Sequence, residues 1–239
     1  MYQHLHFETL ESTNAYVQSH QDRLGGFSFV SCDHQTAGIG RLGRTWYDEA
    51  KQNLMFSLLI KDPKVLSYGP KVSLFVAYAL CLTLQRLEGL PSLSIKWPND
   101  IYLGSMKVCG ILLQGRLPEY LIVGVGLNVN QTSFQGEYRI PPTSLALELG
   151  HKLDLEALRD ELFRRVYQVL RHIKDRQKPA FSYFNSHDYL AGKVVTLQVG
   201  EADYSGVCCG IDDAFALILD INGEKHRFVS GEVSHVVIP

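Results

Sequence analysis

The residue types best suited to chemistry fall in three short segments of the chain. The first is Ala37-Gly38-Ile39-Gly40-Arg41-Leu42-Gly43-Arg44. Its glycines let backbone N–H groups come close to an anion. Arg41 and Arg44 add charge and bidentate reach toward phosphate or carboxylate. The pattern is neither the phosphate-cradling G-x-x-x-x-G-K-[ST] loop nor the dinucleotide fingerprint. Taken alone, it reads as a Gly-rich turn with two solvated arginines.

The second segment is Lys96-Trp97-Pro98-Asn99-Asp100, followed by Met106-Lys107-Val108-Cys109-Gly110-Ile111-Leu112. Lys107, at the head of an apolar strand, can set an ammonium against a phosphate or carboxylate. Asp100 can accept a proton or help hold a metal ion. A Pro-Asn-Asp turn with an exposed lysine is the plainer alternative. The third segment is Gly124-Val125-Gly126-Leu127-Asn128-Val129-Asn130. Two glycines inside an apolar strand indicate close approach by a ligand or another backbone. The Asn128 amide, donor and acceptor at once, suits an adenine edge. A bulge at a strand end is the alternative.

Periodicity supplies the elements that would position these residues. Residues 1–10, 27–32, 53–60, 94–97, 101–103, 108–113 and 120–125 read as strands. Val72 to Leu87 is apolar on all sides and predicts a buried helix. Ser12 or Thr13 can cap a helix that begins there. From Asp154 to about Lys174, Leu155, Leu158, Leu162, Val166, Val169 and Ile173 repeat at helical spacing, with Asp154 as the N-cap. After Gly192, five short strands separated by glycines, with Asn222-Gly223 as a hairpin signal, predict a small closed β-barrel. The fold class is α+β: a mixed, largely antiparallel sheet with packed helices, then the barrel. The boundary falls near 187–191, giving units 1–188 and 189–239.

The 239 residues carry a net charge of −2, with 46% hydrophobic and 20% charged residues, which excludes a disordered chain and a collagen-like repeat. Nothing supplies the large basic surface of a general nucleic-acid binder. The five cysteines are odd in number and form no C-x-x-C pair, which suits free thiols in a reducing compartment. The N-terminal residues lack the basic and apolar regions of a secretory signal. The longest nearly apolar run, Val72 to Leu84, is too short to cross a bilayer. No membrane association and a cytoplasmic location are expected. His4-x-His6 reads as a surface pair rather than a metal site, and Cys109 as a small buried hydrophobe.

Taken in order, Glu11-Ser12-Thr13-Asn14, the 38–44 loop with Trp46, Lys96-Trp97-Pro98-Asn99-Asp100, Lys107-x-x-Gly110-Ile111-Leu112 and Gly124-x-Gly126-x-Asn128 resemble the catalytic domain of biotin–protein ligases. That family is also called biotin–[acetyl-CoA-carboxylase] ligases. Gly210-Ile211-Asp212 and Ser230-Gly231-Glu232-Val233-Ser234 look like its C-terminal SH3-like barrel. The resemblance implies that Ser12, Thr13, Asn14, Gln35, Gly38, Gly40, Arg41, Lys107 and Gly110 bind biotin. It implies that Arg41, Arg44, Trp46, Lys96, Lys107 and Asn128 bind ATP or the adenylate. Lys107, Arg41 and Asp100 would be catalytic, with Mg²⁺ as cofactor and no metal ligands assigned.

Ile39 and Leu42 stand where arginines are frequent in the family, leaving Arg41 and Arg44 as the only loop cations. Eleven residues precede Ser12, too few for a helix-turn-helix domain, so a form without DNA binding is expected. The implied activity forms biotinyl-5′-AMP from biotin and ATP, then transfers biotin to a lysine of a biotin carboxyl carrier protein. A homodimer is an expectation of the same kind. A lipoate ligase or octanoyltransferase is the neighbouring alternative. A non-catalytic biotin or adenylate sensor is an alternative of another class.

Overall fold

The computed structural model describes residues 2–134, 138 and 140–237. It begins with β1 (Gln3–Leu10), α1 (Thr13–His20) and β2 (Ser28–Gln35), with β1 and β2 parallel and His6 opposite Ser31. β3 (Leu54–Ile60) is buried along its whole length, as its continuous apolar run requires. The short α2 (Pro63–Leu66) leads to α3 (Val72–Leu84), where every residue but Leu82 is buried. β4 (Leu93–Lys96), β5 (Asp100–Leu103), β6 (Met106–Arg116) and β7 (Tyr120–Leu127) complete a sheet of order β1-β2-β3-β7-β6-β5-β4. All its pairings after the first are antiparallel. α4 (Leu145–Leu149) and α5 (Leu155–Arg171) follow, Asp154 capping α5 by accepting from the N–H groups of Glu156 and Ala157 at 2.9 and 3.1 Å.

The helices cover opposite faces of this sheet. Phe163 of α5 stacks on Phe29 at 4.2 Å and meets Phe56 edge-on at 4.8 Å, while α3 packs against α5. Truncating so buried a phenylalanine costs about 3–5 kcal/mol. On the other face, Val17 and Leu24 pack on Val30, Leu59 and Ile122, seating α1 against the centre of the sheet. The N-terminus of α1 is therefore held over β3 and β7, which become the floor of the site.

Beyond the short α2 and α4 and the end of α3 at Leu84 rather than Leu87, the structure differs from the sequence reading in two larger places. α5 ends at Arg171, and a further helix, α6 (Ile173–Ser186), follows directly. Pro179 and the run of charged residues hide it. Its buried residues are only Ile173, Ala180 and Phe184, enough to hold one stripe against the core. The second difference is the tail. β8 (Val194–Val199), β9 (Ala202–Ile211), β10 (Leu217–Ile221), β11 (Glu224–Phe228) and β12 (Glu232–Val237) form a sheet of order β11-β10-β9-β8-β12. The strands and the Asn222-Gly223 turn lie as expected, both turn residues having positive φ (55° and 89°). β11 and β12 remain outer strands that do not pair with each other among the described residues, so the sheet is open, not the closed SH3-like barrel expected.

Its inner residues Val195, Leu197, Leu217 and Val233 share one apolar core with the large sheet, and Trp97 Nε1 donates to the Phe215 carbonyl at 3.2 Å. No helix among the described residues is long and apolar enough to cross a membrane.

Where the two sheets meet, the 187–189 segment bridges β4: Ile95 N donates to His187 O at 2.7 Å and Tyr189 N to Ile95 O at 3.1 Å. Burial here pushes the Asp188 carboxyl up to about 6, against the opposing pull of the Leu190 N–H and of Lys193. Burial, reinforced by Arg159, pushes the His4 imidazole down to about 4. Their effects on stability have opposite signs. Between about pH 4 and 6 the native state holds a proton on Asp188 that the unfolded chain has released, so stability falls as pH rises. Between about pH 4 and 6.5 the unfolded chain protonates His4 while the native state does not, so stability rises with pH. Asp188→Asn removes the first effect. It should stabilise the protein by about 1–2 kcal/mol at pH 7.5 and by much less at pH 4. Denaturant midpoints at the two pH values measure this, and equal midpoints for variant and wild type at pH 7.5 would contradict it.

Candidate functional site

A cavity of about 440 Å³ lies where α1, the Gly-rich loop, β6, β7 and the start of β12 converge. Its inner wall is the first turn of α1. Ser12 occupies the N-cap position with extended backbone (φ −157°, ψ 136°), yet its side chain makes no capping bond and instead lines the cavity. Gln35 does the capping: its Oε1 accepts from Thr13 N at 2.8 Å, with Thr13 Oγ1 at 3.2 Å. Below these residues, Ser57 of β3 lies 2.7 Å from Thr13 Oγ1 and 2.5 Å from Asn14 Oδ1, and Asn14 Nδ2 donates to Gln114 Oε1 at 2.7 Å. A Cβ on Gly124 would collide with the Asn14 amide, so the missing side chain is what admits Asn14.

The second glycine of that strand serves a different neighbour. Gly126 pairs with Gly110 across β7 and β6, and the indole of Trp46 lies on both. A Cβ on Gly126 would stand 2.5 Å from Trp46 Cε2, and one on Gly110 3.1 Å from Trp46 Cζ3. The close approach expected at these glycines is thus made by an aromatic side chain that walls the cavity.

Four basic side chains reach the cavity. Lys107 Nζ pairs with Asp100 Oδ1 at 2.8 Å and stands 5.7 Å from the centroid of the Trp46 ring. Arg41 donates to Asn99 Oδ1 at 3.0 Å and to Gly231 O at 2.8 Å. Arg44 pairs with Glu232. Lys96 is buried and reaches Val233 O at 3.3 Å. Such a group of cations in a partly enclosed space favours an anion. Asn128 lines the same cavity, its Nδ2 donating to Thr143 O at 2.9 Å.

Every side chain expected at the site lines this cavity with one exception, and Gly40 and Gly110 line it too. Gly38 does not. It pairs with Trp46 through Trp46 N to Gly38 O at 2.9 Å, and a Cβ there would stand 2.5 Å from Trp46 O. Its lack of a side chain lets the loop close on the Trp46 backbone. Of the two apolar loop residues, Ile39 lines the cavity, and Leu42 at the tip is 73% exposed with left-handed backbone (φ 54°, ψ 32°).

Several residues that shape the site had no role assigned from the sequence. Ser57 and Gln114 sit beneath the wall, Asn99 holds Arg41, and Gly231 and Glu232 bring the C-terminal sheet to the loop. For the last pair the only signal was the Ser230-Gly231-Glu232 motif. Cys109 is fully buried, and burial pushes its thiol up, so it is an inert filler. His4 and His6 form a partly buried pair sharing the Ser31 hydroxyl at 2.8 and 2.9 Å. Among the described residues no three His, Cys, Asp or Glu side chains are grouped to hold a metal ion.

The chain is similar to known proteins over most of its length. The sequence pattern of the biotin/lipoate A/B protein ligase family matches residues 7–128. A biotin–[acetyl-CoA-carboxylase] ligase from Paracoccus denitrificans is 31% identical over 218 residues, covering 87% of this chain and 90% of that protein. The bifunctional ligase/repressor BirA of Bacillus subtilis is 28% identical over 215 residues, covering 86% of this chain; the match spans 65% of that longer protein. Among solved structures, the biotin protein ligase from Aquifex aeolicus in complex with biotin and ATP superposes with a TM-score of 0.87 at 26% identity, over 98% of both chains.

Proposed function

The chain belongs to the biotin/lipoate A/B protein ligase family, and from that membership we propose that it uses ATP to join biotin to a lysine of a biotin carboxyl carrier domain. One observation carries the reading: a polar hydroxyl-and-amide wall and a cluster of cations face a single cavity across the Trp46 indole. The wall of Ser12, Thr13, Asn14 and Gln35 suits a ring with both donors and acceptors. The indole on its glycine strip suits the apolar body of the ligand. Lys107 and Arg41 suit the carboxylate and the phosphate that must meet it.

In the first step a biotin carboxylate oxygen attacks the α-phosphorus of ATP, the bond to the β-phosphate oxygen breaks, and pyrophosphate leaves. Two anions have to approach, and Lys107 and Arg41 offset the repulsion and the charge that builds on the α-phosphoryl oxygens. Among the described residues the cavity wall carries two acidic side chains, Asp100 and Glu232, and both are ion-paired. A Mg²⁺ ion carried by the ATP phosphates, as part of the substrate, would add charge neutralisation there. Arg44, Lys96 and Asn128 flank the nucleotide end.

In the second step the neutral amine of the carrier lysine attacks the acyl carbon of the mixed anhydride, and AMP leaves. Asp100, which pairs with the Lys107 ammonium, takes the amine's proton in this reading. The loop from Gly38 to Arg44 covers the adenylate and limits its hydrolysis.

ATP–pyrophosphate exchange with biotin, and in parallel with lipoate, tests the first step. Biotinylation of a carrier domain, followed by intact mass, tests the second. Exchange driven by lipoate and not biotin would move the protein to the other branch of its family. Within this reading, Gly126→Ala should displace the Trp46 indole by about an ångström and weaken biotin binding about a hundredfold, as read by titration calorimetry. Unchanged affinity would mean that Trp46 does not wall the biotin site.

A further inference from the structure

Ser57 and Gln114 are not among the residues that line the cavity, yet both bind residues that do. We propose that they are specificity-determining positioning residues: they commit the Thr13 hydroxyl proton and the Asn14 amide inside the wall, so that Thr13 offers the ligand an acceptor only. The proposal deepens the biotin reading and rests on it.

The argument is a count of protons. Three close contacts run through two hydroxyl groups: Thr13 to Gln35 Oε1 at 3.2 Å, Thr13 to Ser57 at 2.7 Å, and Ser57 to Asn14 Oδ1 at 2.5 Å. A hydroxyl has one proton to give. Asn14 donates through Nδ2 to Gln114 Oε1, which turns its carbonyl toward Ser57, and a carbonyl only accepts. The Ser57 proton therefore goes to Asn14. The Thr13 proton goes to Ser57 or to Gln35, both inside the wall. If the Asn14 amide were reversed, Ser57 would donate to Thr13, and Thr13 would donate to Gln35. In either arrangement no Thr13 proton is left for the cavity that Thr13 lines, so toward a ligand its hydroxyl can only accept.

A ligand there must bring a hydrogen-bond donor. The cyclic urea of biotin has two, and the dithiolane ring of lipoate has none. An unmatched acceptor pair at this depth is penalised, because neither group can then bond to water. The selection is thus written in β3 and β6, one layer behind the contact residues.

Calorimetric titration of the full chain tests this with biotin, lipoate and the cyclic-carbonate analogue of biotin, in which ring oxygens replace both N–H groups. Wild-type protein should bind biotin at least a hundredfold more tightly than the carbonate. Ser57→Ala removes the nearer partner of the Thr13 hydroxyl (2.7 Å) and leaves only the 3.2 Å contact to Gln35 Oε1, which already accepts from Thr13 N, so the Thr13 proton can turn to a ligand acceptor. The biotin Kd should rise about ten- to a hundredfold, and the preference over the carbonate should shrink to about tenfold or less.

Gln114 gives an independent test at a half-buried position. Gln114→Glu can only accept, so it preserves the Asn14 orientation and should keep the biotin Kd within about threefold, whereas Gln114→Leu should raise it about tenfold. The proposal is overturned if Ser57→Ala retains the wild-type preference, or if Gln114→Glu weakens biotin as much as Gln114→Leu does. Wild-type protein that binds lipoate and not biotin would overturn the biotin reading itself, a result distinct from the other two.

Discussion

Lys107→Ala should lower biotin-dependent ATP–pyrophosphate exchange by about a thousandfold or more while leaving the fold intact. Lys107 is the second residue of β6 and projects its ammonium to 2.8 Å from Asp100 and beside the Trp46 indole. It is therefore held at the junction of the apolar part of the cavity and its cationic end. There it faces two anions that repel until a bond forms between them. A fixed ammonium in a partly enclosed site lowers that barrier more than a solvated one, since its field is less screened and needs no reorganisation.

Truncation leaves Asp100 with an unpaired charge, which adds a repulsive group to the loss of an attractive one. Lys107→Ala with Asp100→Asn separates the two contributions. The double variant should recover part of the exchange lost in the single one, because the new repulsion is gone. Circular dichroism and the unfolding midpoint report whether the fold survives. Exchange within about tenfold of wild type in the single variant would show that the step does not pass Lys107.

The sequence carried much of this geometry in local patterns. Helical spacing and Asp154 marked α5, the Asn222-Gly223 pair marked the turn between β10 and β11, and the continuous apolar run of 53–60 marked the buried β3. Each of those signals is complete within a few residues. What was illegible depends on contacts across the chain. Ser57 is an unremarkable serine in an apolar strand until α1 is laid over it, and Gln114 gains a role only when Asn14, 100 residues away, arrives beside it. Glycines 124 and 126 announced a close neighbour, but identifying it as the Asn14 amide and the Trp46 indole needed the packed sheet. α6 escaped because Pro179 is a local breaker that tertiary packing overrides.

Arg41→Ala is the second change with a large expected effect, and it acts on a different step. Arg41 sits at the base of the exposed loop tip, with its guanidinium shared between Asn99 Oδ1 and Gly231 O. One side chain thus ties the Gly-rich loop to the turn after β4 and to the strand that begins at Glu232. Arg44, paired with Glu232, makes a second tie between the same two parts. The acceptors on Arg41 are neutral, and a phosphate competes well against them because charge-assisted bonds are roughly twice as strong.

An occupied cavity should therefore draw Arg41 from its present partners onto the adenylate and close the loop over it. Alanine removes the tether in both states. The expected result is release of biotinyl-5′-AMP faster by about a hundredfold or more, with a smaller loss in the rate of its formation, since Lys107 remains. Rapid gel filtration of protein charged with labelled ATP measures the retained adenylate. Mass spectrometry of bystander proteins should find biotin on lysines that the wild type leaves unmodified. Glu232→Ala loosens only the Arg44 tie and should fall between wild type and Arg41→Ala in retention. If Arg41→Ala retained adenylate as long as wild type, the loop would be closed without Arg41, and the Arg41 tether would serve only the empty state.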